Sequence, residues 1–296
     1  MSKRALALAA ATLVSLIYGI NYTIAKDVMP GYVKPFAFIV LRVGISTLLF
    51  WLCGLFIGKE KIAKSDFPRI IAAAFFGVAL NMLAFFEGLS LTSPIMASVL
   101  MVTTPLIVLL LSAIIMREKI AMPKALGIIL GLAGTVLLIV YGKDIKQGGS
   151  VAWGNFLVFI NAISYGFYLI MVKKLMDRYN AFAFIKWIYL FGFIMVLPFG
   201  WEQMGDIQWH AMPRLIFWEI AFVVVFTTFL AYLLNLLSMR QLKPTTVAVF
   251  IYLQPVFATV FAIAMDKDTL DWVKILSAVL IFAGVYLVTS RVAKNT

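Results

Sequence analysis

The sequence has few of the residues that carry most enzyme chemistry. It contains one cysteine and one histidine, which excludes an intrachain disulfide and a cysteine-based metal site. An intramembrane enzyme would need clustered His, Cys or carboxylate side chains, and the HExxH motif of metalloproteases does not occur. The Walker A pattern is also absent, which argues against ATP-driven pumping by this chain alone. We therefore predict that the protein is not an enzyme and uses no cofactor or metal.

Charged residues are scarce as well. They make up 13% of the 296 residues, whereas hydrophobic residues make up 64% and the mean hydropathy is +1.03. This composition lies far outside that of soluble globular domains and predicts an integral protein of the lipid bilayer. The net charge of +12 could suggest nucleic acid, but the Lys and Arg residues fall between apolar runs and not in a polar domain with interleaved aromatics. We expect no nucleic-acid partner.

Two proline-marked stretches inside long apolar runs read as copies of one another. They are LSLTSPIMASVLMVTTPLIV and MRQLKPTTVAVFIYLQPVFA. Such self-similarity predicts a duplicated membrane protein, with a first repeat at residues 1–147 and a second at 148–296. One constant offset of 150 residues pairs Pro94 with Pro244, Pro105 with Pro255, Glu118 with Asp268, Ala133 with Ala283 and Gly134 with Gly284.

Apolar runs bounded by charges, Gly and Pro predict ten membrane-spanning helices of about 20 residues each. The first run is longer than the apolar region of a signal peptide, so we interpret it as the first span. The joining loops are too short to form a separate soluble domain. The predicted spans are 5–25, 36–58, 70–91, 95–116, 124–141, 151–172, 180–200, 214–238, 245–265 and 272–290.

The basic residues predict how these spans are oriented. With the N-terminus in the cytoplasm, sixteen of the 25 Lys and Arg residues fall on the cytoplasmic side and seven on the other. The positive-inside rule therefore predicts that both termini are cytoplasmic. Because each repeat has an odd number of spans, the second repeat would have the opposite orientation in the membrane. Two inverted repeats around one central site support alternation between inward-open and outward-open states.

Three features of the sequence resemble the EamA-type family of the drug/metabolite transporter superfamily. The first span, SLIYGINYTIAKDVM, is similar to the family's small-aromatic-Gly opening followed by a lysine, with Tyr18, Gly19 and Lys26 at the matching positions. In FAFIVLRVGISTLLF, Arg42 matches the family's arginine before a stretch of small residues. The duplicated segment resembles the family's fourth and fifth helices joined by an acidic turn, and its matching residues are Pro94, Pro105, Glu118, Gly127, Gly131 and Gly134.

The resemblance covers essentially the whole chain and implies an all-α integral membrane protein. It implies ten transmembrane helices in two inverted five-helix repeats around a central cavity, lined chiefly by helices one, three, four, six, eight and nine. The implied function is secondary active transport in a bacterial-type inner membrane, with export of amino acids or related small metabolites by alternating access. The alternatives are an importer of a vitamin or nucleoside-like compound and a non-transporting membrane scaffold. We expect a monomer or a homodimer.

Polar and aromatic side chains within the apolar helices are the candidate substrate-binding residues. An unpaired polar group is costly inside a bilayer, so these side chains must face a neighbouring helix or water. An aromatic, amide-rich cavity would suit an amphipathic zwitterion or a planar heterocycle. For any one residue, the alternative is an interhelical hydrogen bond that serves only packing. The candidates are Tyr18, Asn21, Tyr22, Asn81, Phe85, Asn161, Tyr165, Tyr168, Tyr232, Asn235, Tyr252 and Gln254.

Pro105 and Pro255 lie near the middle of the fourth and ninth predicted spans. A proline there removes a backbone donor and kinks the helix, which frees the carbonyls of Met101 and Ile251. Interrupted helices at matching positions of two inverted halves are a signature of transport sites. We therefore predict a mechanical role in gating for both prolines, with kinks that serve packing alone as the alternative.

Arg42 and Glu87 are charged residues inside the second and third predicted spans. Each alone would cost about 2.5–3.5 kcal/mol near the bilayer centre. Both are predicted a short distance below the same membrane surface, so we predict that they form a charge pair. The competing hypothesis is that they anchor a charged substrate or that Glu87 accepts a coupling proton.

Overall fold

The structure is a computed structural model that describes residues 2–56, 60–92, 97, 100–140, 149–264 and 271–289. These residues form helices joined by short turns, with no strand among them. Within the described ranges we number the helices α1 to α10. They are α1 Lys3–Val28, α2 Pro35–Phe56, α3 Lys64–Leu91, α4 Thr104–Ile115, α5 Met122–Val140, α6 Gly149–Met176, α7 Ala181–Gly205, α8 Arg214–Met239, α9 at 244–264 and α10 Trp272–Thr289.

Six of the described helices, α1, α2, α3, α6, α7 and α8, are long and apolar enough to cross a membrane. The helices α4, α5, α9 and α10 contain shorter apolar stretches in the part of the chain that the structure describes. Except at the start of α4, the described bounds lie within two helical turns of the predicted spans, and the predicted start at 95 and the predicted ends at 58, 141, 265 and 290 lie outside the described residues. Pro94 and Asp268, two members of the duplicated pattern, also lie outside them.

Glycines permit the closest approaches between helices. A Cβ added to Gly284 of α10 would lie 2.5 Å from the carbonyl oxygen of Gly127 and 2.6 Å from the nitrogen of Gly131, both in α5. Likewise, a Cβ on Gly88 of α3 would lie 2.8 Å from the carbonyl oxygen of Gly154 in α6. In a bilayer, where lipid tails are as apolar as leucine, contacts between small residues let backbones approach and pack closely. The close packing of α10 on α5 and of α3 on α6 therefore requires residues without a side chain at these positions.

The packing of the helices follows a repeating scheme. Three pairs, α2–α7, α4–α9 and α5–α10, join a helix to the one five positions later in the chain. The other main pairs come in matching sets: α3–α6 corresponds to α8–α1, α4–α6 to α9–α1, and α3–α7 to α8–α2. Adding or subtracting five therefore maps these helix pairs onto one another.

Helices α3 and α8 each contain a π-helical segment, in which hydrogen bonds span five residues and the turn is wider. The segments are Phe75–Ala79 and Val223–Leu230, and they overlap once the offset of 150 is applied. A widened turn leaves carbonyls open to donors from other helices. In α3, the Gly77 carbonyl accepts a hydrogen bond of 2.9 Å from the Tyr232 hydroxyl of α8.

The α-helical hydrogen bonding breaks just before Pro105 and Pro255. Pro105 lies in the first turn of α4, which follows a non-helical turn at residues 102–103. In α9, a 3-10 turn at Phe250–Tyr252 precedes Pro255. Where the sequence predicts a kink within a continuous helix, the structure has a break in the α-helical hydrogen bonding. The reason is that proline supplies no N–H for the preceding turn and its ring crowds the carbonyl there.

Candidate functional site

A cavity of about 80 Å³ lies between α1, α2, α3, α6, α8 and α9. Nine of the twelve candidate binding residues line this cavity: Tyr18, Asn21, Tyr22, Asn81, Phe85, Asn161, Tyr165, Tyr232 and Gln254. The structure therefore brings most of the polar side chains within the apolar helices to one place. A space of this size holds several water molecules, and its aromatic walls with a few amide groups have the composition of small-molecule sites.

The wall also contains six residues outside the twelve binding candidates. These are Arg42, Met82, Phe86, Met101, Thr227 and Ile251. The sequence predicts Arg42 as a member of a charge pair or, in the competing hypothesis, as an anchor for a charged substrate, and Arg42 adds α2 to the helices expected around the cavity. The sequence marks Met101 and Ile251 through the carbonyls that the prolines free. Nothing in the sequence marks Met82, Phe86 or Thr227 as lining residues, because apolar residues and a threonine in an apolar run fit lipid or core equally well.

The other three candidates, Tyr168, Asn235 and Tyr252, are not among the described residues that line the cavity. Tyr168 stacks its ring on Tyr165, with 6.0 Å between the ring centroids. Asn235 donates from Nδ2 to the Tyr165 hydroxyl at 3.1 Å. Tyr252 packs against Gly131, where an added Cβ would lie 2.3 Å from its ring. Two of the three therefore hold a lining residue in place, and the third fills a contact between α9 and α5.

A reciprocal pair of amides joins α3 to α6 at the cavity. Asn161 donates from Nδ2 to the Asn81 carbonyl at 2.7 Å, and Asn81 donates from Nδ2 to the Asn161 carbonyl at 3.5 Å. These bonds use the donors and leave the buried Asn161 Oδ1 atom without a partner among the described residues. The buried Oδ1 atom of Asn21 on α1 likewise has no donor within the described ranges. Both residues line the cavity, and each has an amide oxygen that no described group hydrogen-bonds.

Arg42 lies in the wall of the cavity and is only 4% exposed. Its Nε donates to the Thr228 Oγ1 at 2.8 Å, and its guanidinium carbon lies 4.5 Å from the centre of the Phe86 ring, in a cation–π arrangement. The predicted charge pair with Glu87 is wrong for this structure: neither residue forms an ion pair within the described ranges. Similar depth in the membrane does not determine how each helix is rotated about its own axis. The Arg42 side chain points toward Thr228 of α8.

Two lysines cap equivalent helix ends. Lys26 of α1 donates to the Leu89 carbonyl at 3.0 Å, near the end of α3. Lys173 of α6 donates to the Met239 carbonyl at 2.9 Å, at the end of α8. The two carbonyls are 150 residues apart in sequence, and a cation at a helix C-terminus satisfies free carbonyls and the helix dipole. A lysine side chain therefore stabilises the last turn of α3 and of α8, the two helices that contain π-helical segments.

Glu118, in the loop after α4, is a buried carboxylate between two lysines. It forms ion pairs with Lys124 at the start of α5 and with Lys243, at 3.3 Å, just before α9. The Thr245 hydroxyl at the start of α9 donates to the same Oε1 atom at 3.5 Å. Glu118 therefore ties the α4–α5 loop to the N-terminus of α9 across the two halves of the chain, where a negative charge also suits the helix dipole.

We predict that Tyr232→Phe lowers stability by about 1–3 kcal/mol, because it leaves the buried Gly77 carbonyl without its donor. The matched control is Tyr252→Phe, since the buried Tyr252 hydroxyl has no partner among the described residues and its removal should be neutral or stabilising. Thermal unfolding of the detergent-purified variants measures both effects. Equal losses in the two variants would contradict the assigned hydrogen bond.

These features define a class of protein: a multi-helix membrane protein whose bundle contains an aromatic-walled cavity with several polar groups, beside helices that are broken at prolines. The chain belongs to the EamA-like transporter family, whose family model matches residues 5–140 and 152–290. It is therefore a multi-pass membrane protein of a transporter family.

Individual relatives support the same assignment. The uncharacterized transporter YetK of Bacillus subtilis (strain 168) is 24% identical over 232 residues, covering 78% of this chain and 70% of YetK. An uncharacterized transporter of Archaeoglobus fulgidus is 25% identical over 278 residues, covering 93% of this chain and 95% of its own length. A solved crystal structure shares the fold with a TM-score of 0.75 and 17% identity, covering 96% of this chain and 97% of that one.

Proposed function

We propose that the protein is a secondary active transporter that works by alternating access, with ten transmembrane helices in two inverted five-helix repeats. The observation that carries this proposal is the matched pair of helix breaks before Pro105 and Pro255. These prolines supply no N–H to the carbonyls of Met101 and Ile251, four residues earlier, and both residues line the cavity. Interrupted helices at corresponding positions around a central site are the arrangement that transporters with inverted repeats use.

Three further symmetric features support the proposal. The π-helical segments of α3 and α8 overlap at the offset of 150, the lysine caps act on equivalent carbonyls, and the helix pairs map onto one another when five is added or subtracted. In an inverted arrangement, each half adopts the conformation that the other has in the opposite state, so the two states have similar energies. Positive-inside charge placement supports cytoplasmic termini in an inner membrane.

For direction and cargo, we propose export of amino acids or related small metabolites. The amide-rich, aromatic cavity supports a small amphipathic solute. Import of a vitamin or nucleoside-like compound is the second candidate, because aromatic walls also stack on planar heterocycles. A membrane scaffold without transport is the third, and it would leave the cavity and its interrupted helices without a role.

Reconstitution tests the proposal directly. Proteoliposomes loaded with pooled amino acids, nucleosides or vitamins should accumulate the corresponding labelled solute by counterflow, and protein-free liposomes should not. Counterflow needs no added driving ion, so the test does not depend on the coupling mechanism. A protein that is monodisperse and moves none of the three pools, yet copurifies with another membrane protein, would favour the scaffold.

A coupling proton accepted by Glu87 is a separate hypothesis. The side chain lies half-buried in α3, outside the cavity wall and without an ion pair in the described part of the chain. If Glu87 carries the proton, Glu87→Gln removes the pH dependence of uphill transport and leaves counterflow in place. Transport rates measured from pH 5 to pH 8 decide the question, and an unchanged rate and pH profile would remove Glu87 from coupling.

A further inference from the structure

We infer that the transported solute carries a carboxylate that binds to the Arg42 guanidinium inside the cavity. This inference rests on the proposed transport function and names the class of its substrate. Of the described residues in the cavity wall, Arg42 alone carries a formal charge. An arginine side chain keeps its proton at physiological pH, so the cavity wall holds a buried positive charge within the membrane.

The protein compensates that charge only in part. The Phe86 ring and the Thr228 hydroxyl are neutral partners, and within the described ranges no Asp or Glu side chain pairs with Arg42. An aromatic face and one hydroxyl attract the guanidinium, but neither supplies a negative charge. Charged residues inside a membrane usually pair with an opposite charge or face a functional cavity, and Arg42 does the second.

The unused hydrogen-bonding groups of Arg42 indicate what the partner is. A guanidinium has five N–H donors, and within the described residues Arg42 uses only Nε. The two terminal nitrogens have no acceptor there, and they are the pair that binds both oxygens of a carboxylate in parallel. A carboxylate in the cavity would therefore supply both the missing charge and the missing acceptors.

The rest of the wall suits the other end of such a solute. The Oδ1 atoms of Asn21 and Asn161 and the Oγ1 atom of Thr227 are buried and have no hydrogen-bond partner in the part of the chain that the structure describes, and all three residues line the cavity. The carbonyl oxygens of the two amides accept hydrogen bonds, as an ammonium group requires. Tyr22 and Phe85, whose ring centroids are 5.9 Å apart, provide apolar surface beside them. The complete set of groups fits a small zwitterion with an apolar side chain.

The test compares acids with matched amides on the purified wild-type protein. Ligands that bind the folded state raise its thermal unfolding temperature, so the twenty L-amino acids are screened first, together with adenosine and uridine. Each amino acid that binds is then compared with its carboxamide, which keeps the amine and side chain but has no negative charge. We expect the amides to bind about 10- to 100-fold more weakly, the range that a charge-assisted bidentate contact contributes.

Variants assign the effect to Arg42. Arg42→Gln should abolish the preference for acid over amide, and Arg42→Lys should retain part of it, because lysine keeps the charge but not the planar fork. Lys186→Gln is the matched control: Lys186 is also a cation within a helix beside an aromatic ring, 5.0 Å from the centre of Trp51, and it is not among the described residues of the cavity wall. It should keep the full preference.

The outcomes separate the inference from the proposed function. If amides or nucleosides bind as tightly as amino acids and counterflow is present, the transport function is supported and the carboxylate site is contradicted. Retention of the preference for acids in Arg42→Gln would also contradict the carboxylate site. If wild-type protein neither binds nor counterflows any solute, both proposals fail. Should Arg42→Gln not fold, the comparison of acids with amides on the wild-type protein still decides.

Discussion

Gly284→Leu should prevent the stable packing of α5 against α10. Even the first carbon of a side chain would lie 2.5 Å from the Gly127 carbonyl oxygen and 2.6 Å from the Gly131 nitrogen. Both are backbone atoms, so neither can rotate away and the helices must separate. We expect a loss of about 3 kcal/mol or more, at or beyond the upper end of overpacking effects. Size-exclusion chromatography and thermal unfolding in detergent measure the loss.

Ala283→Leu is the matched control for this prediction. Ala283 is the preceding residue on the same helix and is exposed on the surface of the bundle, so a leucine there meets lipid or detergent. Its effect should stay within about 0.5 kcal/mol. If Gly284→Leu is as stable as Ala283→Leu, the close approach of α5 and α10 is not a feature of the folded protein.

Pro255→Ala should reduce transport about tenfold while leaving the protein folded. Alanine restores the backbone N–H that can bond to the Ile251 carbonyl, which extends the helix through the break and stabilises one conformation. One hydrogen bond of about 1–1.5 kcal/mol that must be broken in each cycle slows the cycle by about tenfold. Thermal stability should stay equal or rise. Pro105→Ala should have the same effect, because the two breaks are equivalent.

Pro198→Ala controls for the loss of a proline in a membrane helix. Pro198 lies inside α7, which continues through it from Ala181 to Gly205, and it is exposed at the surface of the bundle. Counterflow by this variant should match that of the wild-type protein. Full activity of Pro255→Ala and Pro105→Ala, or equal losses in all three variants, would remove the breaks from the transport cycle.

The positions of the helices and most of the cavity could be predicted from the sequence, for one physical reason. Apolar runs of membrane length must be helical, and polar side chains within them must turn away from lipid. This reasoning is enough to identify Asn21, Asn161 and Gln254 as inward-facing. It also identifies Pro105 and Pro255, because a missing N–H disrupts a helix wherever it lies.

The rest depends on how the helices are rotated against one another. The π-helical segments leave no periodic signal, since one widened turn is stabilised by donors such as Tyr232 from a distant part of the chain. The partners of Arg42 are missed for a related reason: depth in the membrane pairs it with Glu87, whereas rotation of α2 places it beside Thr228 and Phe86. Tyr168 and Tyr252 show that a hydroxyl group within an apolar helix does not by itself place a residue in the cavity wall.

The inverted repeat is tested most directly by labelling one matched pair of loop positions. Lys61 and Ala211 are 150 residues apart and both are exposed, so they occupy the same place in the two repeats. With Cys53, the single native cysteine, replaced by serine, Lys61→Cys and Ala211→Cys are treated in intact cells with a membrane-impermeant maleimide. We predict that Ala211→Cys is labelled in intact cells and Lys61→Cys only after permeabilisation. Labelling of both positions from the same side would contradict two inverted halves.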